Sequence, residues 1–157
     1  MIAGNLRNKK RLLLMFYIGG KKYAIDAKTI KEIIPIVKIE SIAEDSDNIF
    51  GYINYRGTMI PVIDLALKLT GNPSKKLLST RIIIINTGSS LIDNTLIGMI
   101  AEKVTETKHI DDNEIKYPVL EENEKLLNGI IYENDVIVRC IKYDQLLPNT
   151  NSAGLTE

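Results

Sequence analysis

The 157-residue sequence has no tryptophan, one histidine (His109) and one cysteine (Cys140). A lone cysteine allows no intrachain disulfide, which fits a reducing compartment. A single histidine and no C-x-x-C pair put the usual His- and Cys-rich zinc sites out of reach. Net charge is also missing, because 20 Lys and Arg offset 20 Asp and Glu. A nucleic-acid binder normally carries a basic excess that displaces counterions from phosphates, so the composition argues against that class. Partner specificity must then rest on shape and apolar contact more than on long-range steering. There is no G-x-G-x-x-G, no Walker A run and no G-x-S-x-G elbow.

Long apolar runs are absent as well, and no stretch is long enough to span a bilayer. Arg7, Lys9, Lys10 and Arg11 precede the apolar run Leu12-Leu13-Leu14-Met15-Phe16-Tyr17-Ile18, which superficially resembles a signal peptide. The run is short, and Gly19-Gly20-Lys21-Lys22 ends it without a small-residue cleavage site. It reads as a first β-strand.

What is present is 45% hydrophobic residues, heavily Ile, Leu and Val, enough for a core and suited to strands. Residues 14–18 and 22–25 flank Gly19-Gly20, a hairpin signal. Asp26 is placed to cap a helical turn from Ala27, leading into a strand over about 32–37 that Pro35 keeps from becoming a long helix. Residues 51–54 and 58–63 read as strands around Tyr55-Arg56-Gly57. Asp64 then caps a short helix over 65–69, which Gly71-Asn72-Pro73 ends. Ile82-Ile83-Ile84-Ile85 predicts a strand buried on both faces. Residues 88–94 read as a turn, 95–101 as a strand and 111–125 as a polar loop. Residues 127–132 and 136–141 form a last hairpin, 143–147 a helical turn and 149–157 a frayed tail.

The plan of hairpin then helical cap occurs twice, at Gly51-Tyr52-Ile53 through Asp64 and at Gly129-Ile130-Ile131 through Asp144. Two such small β-units would each be marginal alone and should share an apolar core.

Chemistry-bearing residues are few. His109 reads as an exposed strand-end residue, Cys140 as a buried thiol, and Asp64 as a helix cap. Two distant carboxylates converging in space would leave room for a small carboxylate enzyme. The segment hardest to explain as scaffold is 51–65, where Gly57 permits a tight turn that presents Asn54, Tyr55 and Arg56 from a rigid hairpin. Arg56 is either a presented binding residue or a turn residue bonding to backbone carbonyls.

Gly51-Tyr52-Ile53-Asn54-Tyr55-Arg56-Gly57-Thr58-Met59-Ile60-Pro61-Val62-Ile63-Asp64-Leu65 resembles the signature of CheW-like domains, approximately G-x-I-N-x-R-G-x-x-I-P-V-I-D-L. Tyr23-Ala24-Ile25-Asp26, Thr80-Arg81-Ile82-Ile83, Gly98-Met99-Ile100-Ala101, Leu127-Asn128-Gly129-Ile130 and Asp144-Gln145-Leu146-Leu147 agree with flanking family segments. The resemblance implies a mainly β fold of two SH3-like five-stranded β-barrels packed together, spanning 12–147. The first barrel is expected over about 20–78, and the second over about 79–147 plus the N-terminal strand, with 148–157 as a tail.

The resemblance also implies a non-enzymatic, cofactor-free adaptor. Its implied place is cytoplasmic, recruited to membrane-associated receptor arrays without inserting into the bilayer. The implied partners are the regulatory domain of a CheA-type histidine kinase and the cytoplasmic hairpin tip of chemoreceptors. By position, Glu32 and Arg56 match a family acid–base pair near those contacts. Ile30, Gly51, Asn54 and Gly57 match the same surface, and Gly98 and Val104 match positions lining a receptor groove on the second barrel. Tyr55 departs from the usual aliphatic residue, and so do Ala101-Glu102-Lys103 and Arg139-Cys140 from their family counterparts. These departures bear on which partner is bound, and an auxiliary scaffold in a non-motility chemosensory pathway is the alternative.

Overall fold

The computed structural model describes residues 9–41, 49–88, 95–119 and 125–146. The expected turn at 88–94 and the tail from 148 fall mostly or wholly outside them. Ten strands form two five-stranded sheets. One sheet has the order β3 (Ile30–Pro35), β6 (Arg81–Asn86), β7 (Leu96–Ala101), β5 (Thr58–Asp64), β4 (Gly51–Tyr55). The other has the order β8 (Lys103–Asp111), β1 (Lys10–Ile18), β2 (Lys21–Asp26), β10 (Val136–Ile141), β9 (Leu127–Glu133). A short helix α1 (Leu65–Thr70) follows β5.

Local chemistry sets these elements. The hairpins turn at Gly19-Gly20, Arg56-Gly57 and Asn134-Asp135, and every one of those six residues has positive φ. Two successive positive-φ residues make the tight turn whose twist matches that of the flanking strands. Asp64 Oδ1 accepts from the Leu67 N–H at the start of α1, and Gly71 ends the helix at φ 81°.

The two sheets are built alike. Each has a central antiparallel pair (β6–β7, β1–β2) and a parallel neighbour (β5 on β7, β10 on β2). In the parallel pairs Val62 aligns with Gly98 as Cys140 aligns with Ala24. The outer pairs β3–β6 and β8–β1 each slip by one residue, at Lys31 and at Thr105. Glu32 thus corresponds to Glu106, Ile30 to Val104, and Asp64 to Lys142. After β3 the chain returns to the opposite edge, where Glu40 and Tyr52 exchange two backbone hydrogen bonds of 2.8 Å. After β8, Lys116 and Ile130 do the same. These bridges join the outer strands of each sheet, β3 side to β4 and β8 side to β9. The doubled plan seen in the sequence is therefore a doubled fold.

The division between units differs from the one expected near residue 78. The chain crosses from sheet to sheet at 26–30 and at 101–103. β2 therefore joins the C-terminal strands, and β6 and β7 join the first unit. Core burial explains it. Ile82 and Ile84 lie with Ile53, Ile60 and Val62 inside one unit. Ile83 and Ile85 lie with Phe16, Ile63, Leu65 and Met99 between the sheets. Only a central strand can bury both faces in this way. The polar stretch after α1 is a loop pinned to both units. Ser74 donates its N–H and hydroxyl to Asp64 at 2.8 and 2.7 Å, and the Lys75 N–H donates to Glu102 at 2.7 Å. The other carboxylate oxygen of Glu102 accepts from the Gly19 N–H, so one buried side chain ties the β1–β2 turn to that loop.

Candidate functional site

Glu32, Asn54, Arg56 and Gly57 come together at one rim of the first sheet. The turn Arg56-Gly57 closes the β4–β5 hairpin, and Asn54 Oδ1 holds it by accepting from the Gly57 N–H at 2.9 Å. Glu32 reaches across from β3, at the opposite edge. Its Oε2 accepts from Arg56 Nη2 at 2.9 Å and from the Tyr55 hydroxyl. The Arg56 guanidinium carbon lies 5.4 Å from the centroid of the Tyr55 ring, and Lys31 Nζ lies 5.8 Å from it. The slip at Lys31 puts two consecutive charged residues, Lys31 and Glu32, beside this ring.

Electrostatics follow from that geometry. The Tyr55 hydroxyl, with help from Arg56, holds the Glu32 carboxyl below the usual carboxylate range. The same hydrogen bond raises the Tyr55 phenol. Glu32 therefore stays ionised and aims the guanidinium. The Arg56 side chain remains 69% exposed, so the ion pair fixes a direction more than it adds stability. Met59, opposite Asn54 in register, is 53% exposed beside it. The site can offer one oriented cation, hydrogen-bonded to Glu32 and set over the Tyr55 ring, on a hairpin that also exposes the apolar Met59.

The other sequence candidates lie elsewhere. Gly51 is buried at the far end of β4, where an added Cβ would come 2.7 Å from the Glu40 carbonyl oxygen. Its role is close backbone approach at the closing bridge. Gly98 is buried on β7 of the first sheet, facing Ile82, Val62 and Ile53, and so lines no surface groove. The reason is packing: a side chain there would strike Ile82. Ile30 and Val104 occupy equivalent positions just after the two crossovers, half-buried against the core between the sheets. Sequence reading missed Lys31, and it placed Tyr55 on the presented turn without its bond to Glu32. An aromatic residue beside the turn arginine was the available signal, while its link to Glu32 spans 23 residues.

The second sheet carries a counterpart. Glu133, at the end of β9, accepts from Lys108 on β8 at 2.6 Å and from the buried Lys22 on β2. Glu106 lies 3.7 Å from Lys22. Hydrogen bonds from Lys108 and then Lys22 hold the Glu133 carboxyl below its usual range, against the opposing effect of burial. A depressed carboxyl contributes stability above its unfolded pKa and loses it as pH falls through the lower folded value. In urea unfolding, wild type is expected to exceed Glu133→Gln by about 1–2 kcal/mol at pH 7. That gap should close as pH drops below the ordinary carboxylate value of 4.5. A gap independent of pH would refute the ionic role.

Residues considered for catalysis have other settings. Burial raises the Cys140 thiol to about 11, far from a reactive thiolate. His109 is exposed on β8, and the Asp64 carboxylate is engaged by Leu67 and Ser74. Among the described residues no group of three or more His, Cys, Asp or Glu is placed to hold a metal, and no helix is long and apolar enough to cross a membrane.

Comparison with known proteins agrees with this architecture. The chain is 28% identical over 135 residues to the chemotaxis protein CheW of Helicobacter pylori, covering 84% of this chain and 78% of that one. It is 28% identical over 143 residues to the chemotaxis protein CheW of Bacillus subtilis, covering 90% and 83%. The crystal structure of the scaffolding protein TtCheW from Thermoanaerobacter tengcongensis superposes with a TM-score of 0.78 at 28% identity, covering 92% of each chain. The model of the CheW-like domain matches residues 12–151. With nearly its whole length matched and the doubled fold shared, this chain belongs to the CheW-like domain family.

Proposed function

We propose that this protein is a non-enzymatic adaptor that couples chemoreceptors to a CheA-type histidine kinase, and that the rim built from Glu32, Tyr55 and Arg56 is one of its docking points. Membership of a family whose relatives are chemotaxis and scaffolding proteins supports the adaptor role. One observation carries the site. Arg56 sits at φ 51°, a backbone conformation unusual for a side chain of its size, on the exposed tip of a tight turn. Local strain, an aromatic ring and a carboxylate from another strand all serve to aim one exposed guanidinium. Arginine so held is suited to a carboxylate or a carbonyl cluster on a partner.

Titration calorimetry of Arg56→Glu against the kinase regulatory domain and a receptor hairpin fragment tests this reading. Binding to at least one partner is expected to weaken about tenfold or more. The melting temperature should barely move, because the pair is exposed. A folded variant that binds both partners normally would remove the rim from the mechanism.

A further inference from the structure

The equivalent ends of the two units have diverged in chemistry. In the first unit the cleft beside Asp64 and Ile100 has a volume of about 400 Å³ and a mainly apolar wall that includes Ile36, Ile39 and Phe50. The loop carrying Ser74 covers it and bonds to Asp64. In the second unit Lys142 stands where Asp64 does, and Asp26 where Ile100 does. There the cleft is about 680 Å³, and its wall includes Lys9, Lys10, Arg11, Lys28 and Lys142. Among the described residues only two carboxylates, Asp26 and Asp144, line the same wall. Five cations against two acids among the described residues is a local excess in a chain whose total charge is zero.

Pairing leaves part of that excess free. Arg11 pairs with Asp112 at 2.6 Å, and Lys28 faces Asp26 at 3.6 Å. Lys9, Lys10 and Lys142 make no ion pair among the described residues.

The backbone offers a second feature. β1 runs beyond the end of β2: their last register pair is Leu13 with Asp26, after which β2 turns away through Ala27. Lys10, Arg11 and Leu12 continue to pair with β8 on one flank and, among the described residues, have no strand on the other. Lys142 follows β10 on the far side of the gap. The gap is the continuation of the line that β2 vacates, about 10 Å long at the rise of a strand.

We propose that this slot docks an extended acidic segment of a partner protein, which adds to the free flank of β1 while its carboxylates meet the unpaired lysines. An unpaired strand flank supplies main-chain hydrogen bonds, and the bordering charge supplies selectivity. The chain's own residues 1–8 carry Arg7 and no carboxylate, so their charge does not complement the slot. The site lies apart from the Arg56 rim and stands whether or not that rim binds the kinase.

The test is amide NMR of the full-length protein titrated with the peptide acetyl-Glu-Val-Asp-Val-Glu-amide. Saturable shifts are expected at residues 10–12 and 142–144, weakening as salt rises. The double variant Lys10→Glu/Lys142→Glu should bind about tenfold more weakly or worse while keeping a folded spectrum. The peptide acetyl-Lys-Val-Lys-Val-Lys-amide should produce no such shifts. Loss of peptide binding in saturating inorganic phosphate, with the same shifts from phosphate alone, would reduce the slot to a small-anion site and overturn the proposal. So would shifts that track protein concentration without peptide, which mark a second copy as occupant. Binding seen only after residues 1–8 are removed would make that segment the occupant, and no binding at all would also end the case.

Discussion

Phe16→Ala is expected to lower the unfolding free energy by about 3–5 kcal/mol, a large share of the total for a domain of this size. Phe16 is fully buried and stacks on Tyr23 with ring centroids 5.9 Å apart. It lies in the core shared by the sheets, with Ile63, Ile83 and Met99 from the first, Leu65 from α1, and Ile18, Ile25 and Ile141 from the second. Removing the ring opens a cavity whose walls belong to different sheets, and two sheets each held by their own interior cannot easily close over it. Urea unfolding followed by circular dichroism should show one transition at lower midpoint. A loss below about 1 kcal/mol, or two separate transitions, would mean that the units do not depend on each other.

The second large effect concerns closure of a single unit. Gly129→Ala is expected to cost about 2–5 kcal/mol, combining backbone strain and overpacking. Gly129 has φ 108°, where an L side chain is strained, and its added Cβ would lie 2.7 Å from Ile115 Cγ2 and 3.0 Å from the Lys116 carbonyl oxygen. That carbonyl belongs to the bridge between Lys116 and Ile130. Hydrogen exchange should therefore lose protection first at those two amides. Gly57→Ala is the control: its φ is 87°, but nothing lies within 4 Å of the added carbon, so only strain of about 1 kcal/mol is expected. Equal losses for both variants would show that the crossing at Gly129 is not tight.

Much of this molecule could be read directly. Gly19-Gly20 and Arg56-Gly57 marked hairpins because few residues tolerate two positive φ angles in succession. Asp26 and Asp64 marked caps, and both carboxylates accept from backbone N–H groups two and three residues on. β3 was harder. Ile30, Ile33 and Ile34 show no simple alternation, because the slip at Lys31 displaces the alternation of the strand. The helical turn is the preceding stretch, Ala27–Thr29. β8 was largely hidden in Lys103-Val104-Thr105-Glu106-Thr107-Lys108-His109, because an outer strand with most side chains exposed has no apolar alternation to reveal it.

The candidate site divides in the same way. Asn54, Arg56 and Gly57 were legible because one turn contains them all. Glu32 was expected near Arg56 only through family resemblance, and the hydroxyl bond that orders both came from Tyr55, which the sequence places on the turn without naming a partner for it. Gly98 and Gly51 match binding-surface positions only through the resemblance, and the structure shows what a side chain at each would strike.

Alone, then, the sequence determined the β-rich class, the hairpins, the caps and the doubled plan, because these depend on neighbours within a few residues. The tertiary structure decided which strands share a sheet, that the exchange occurs at 26–30 and 101–103, and that one end of the second unit is open and cationic. Those outcomes depend on burying both faces of β1, β2, β6 and β7 at once. That is a property of the packed whole, and no local stretch of chain encodes it.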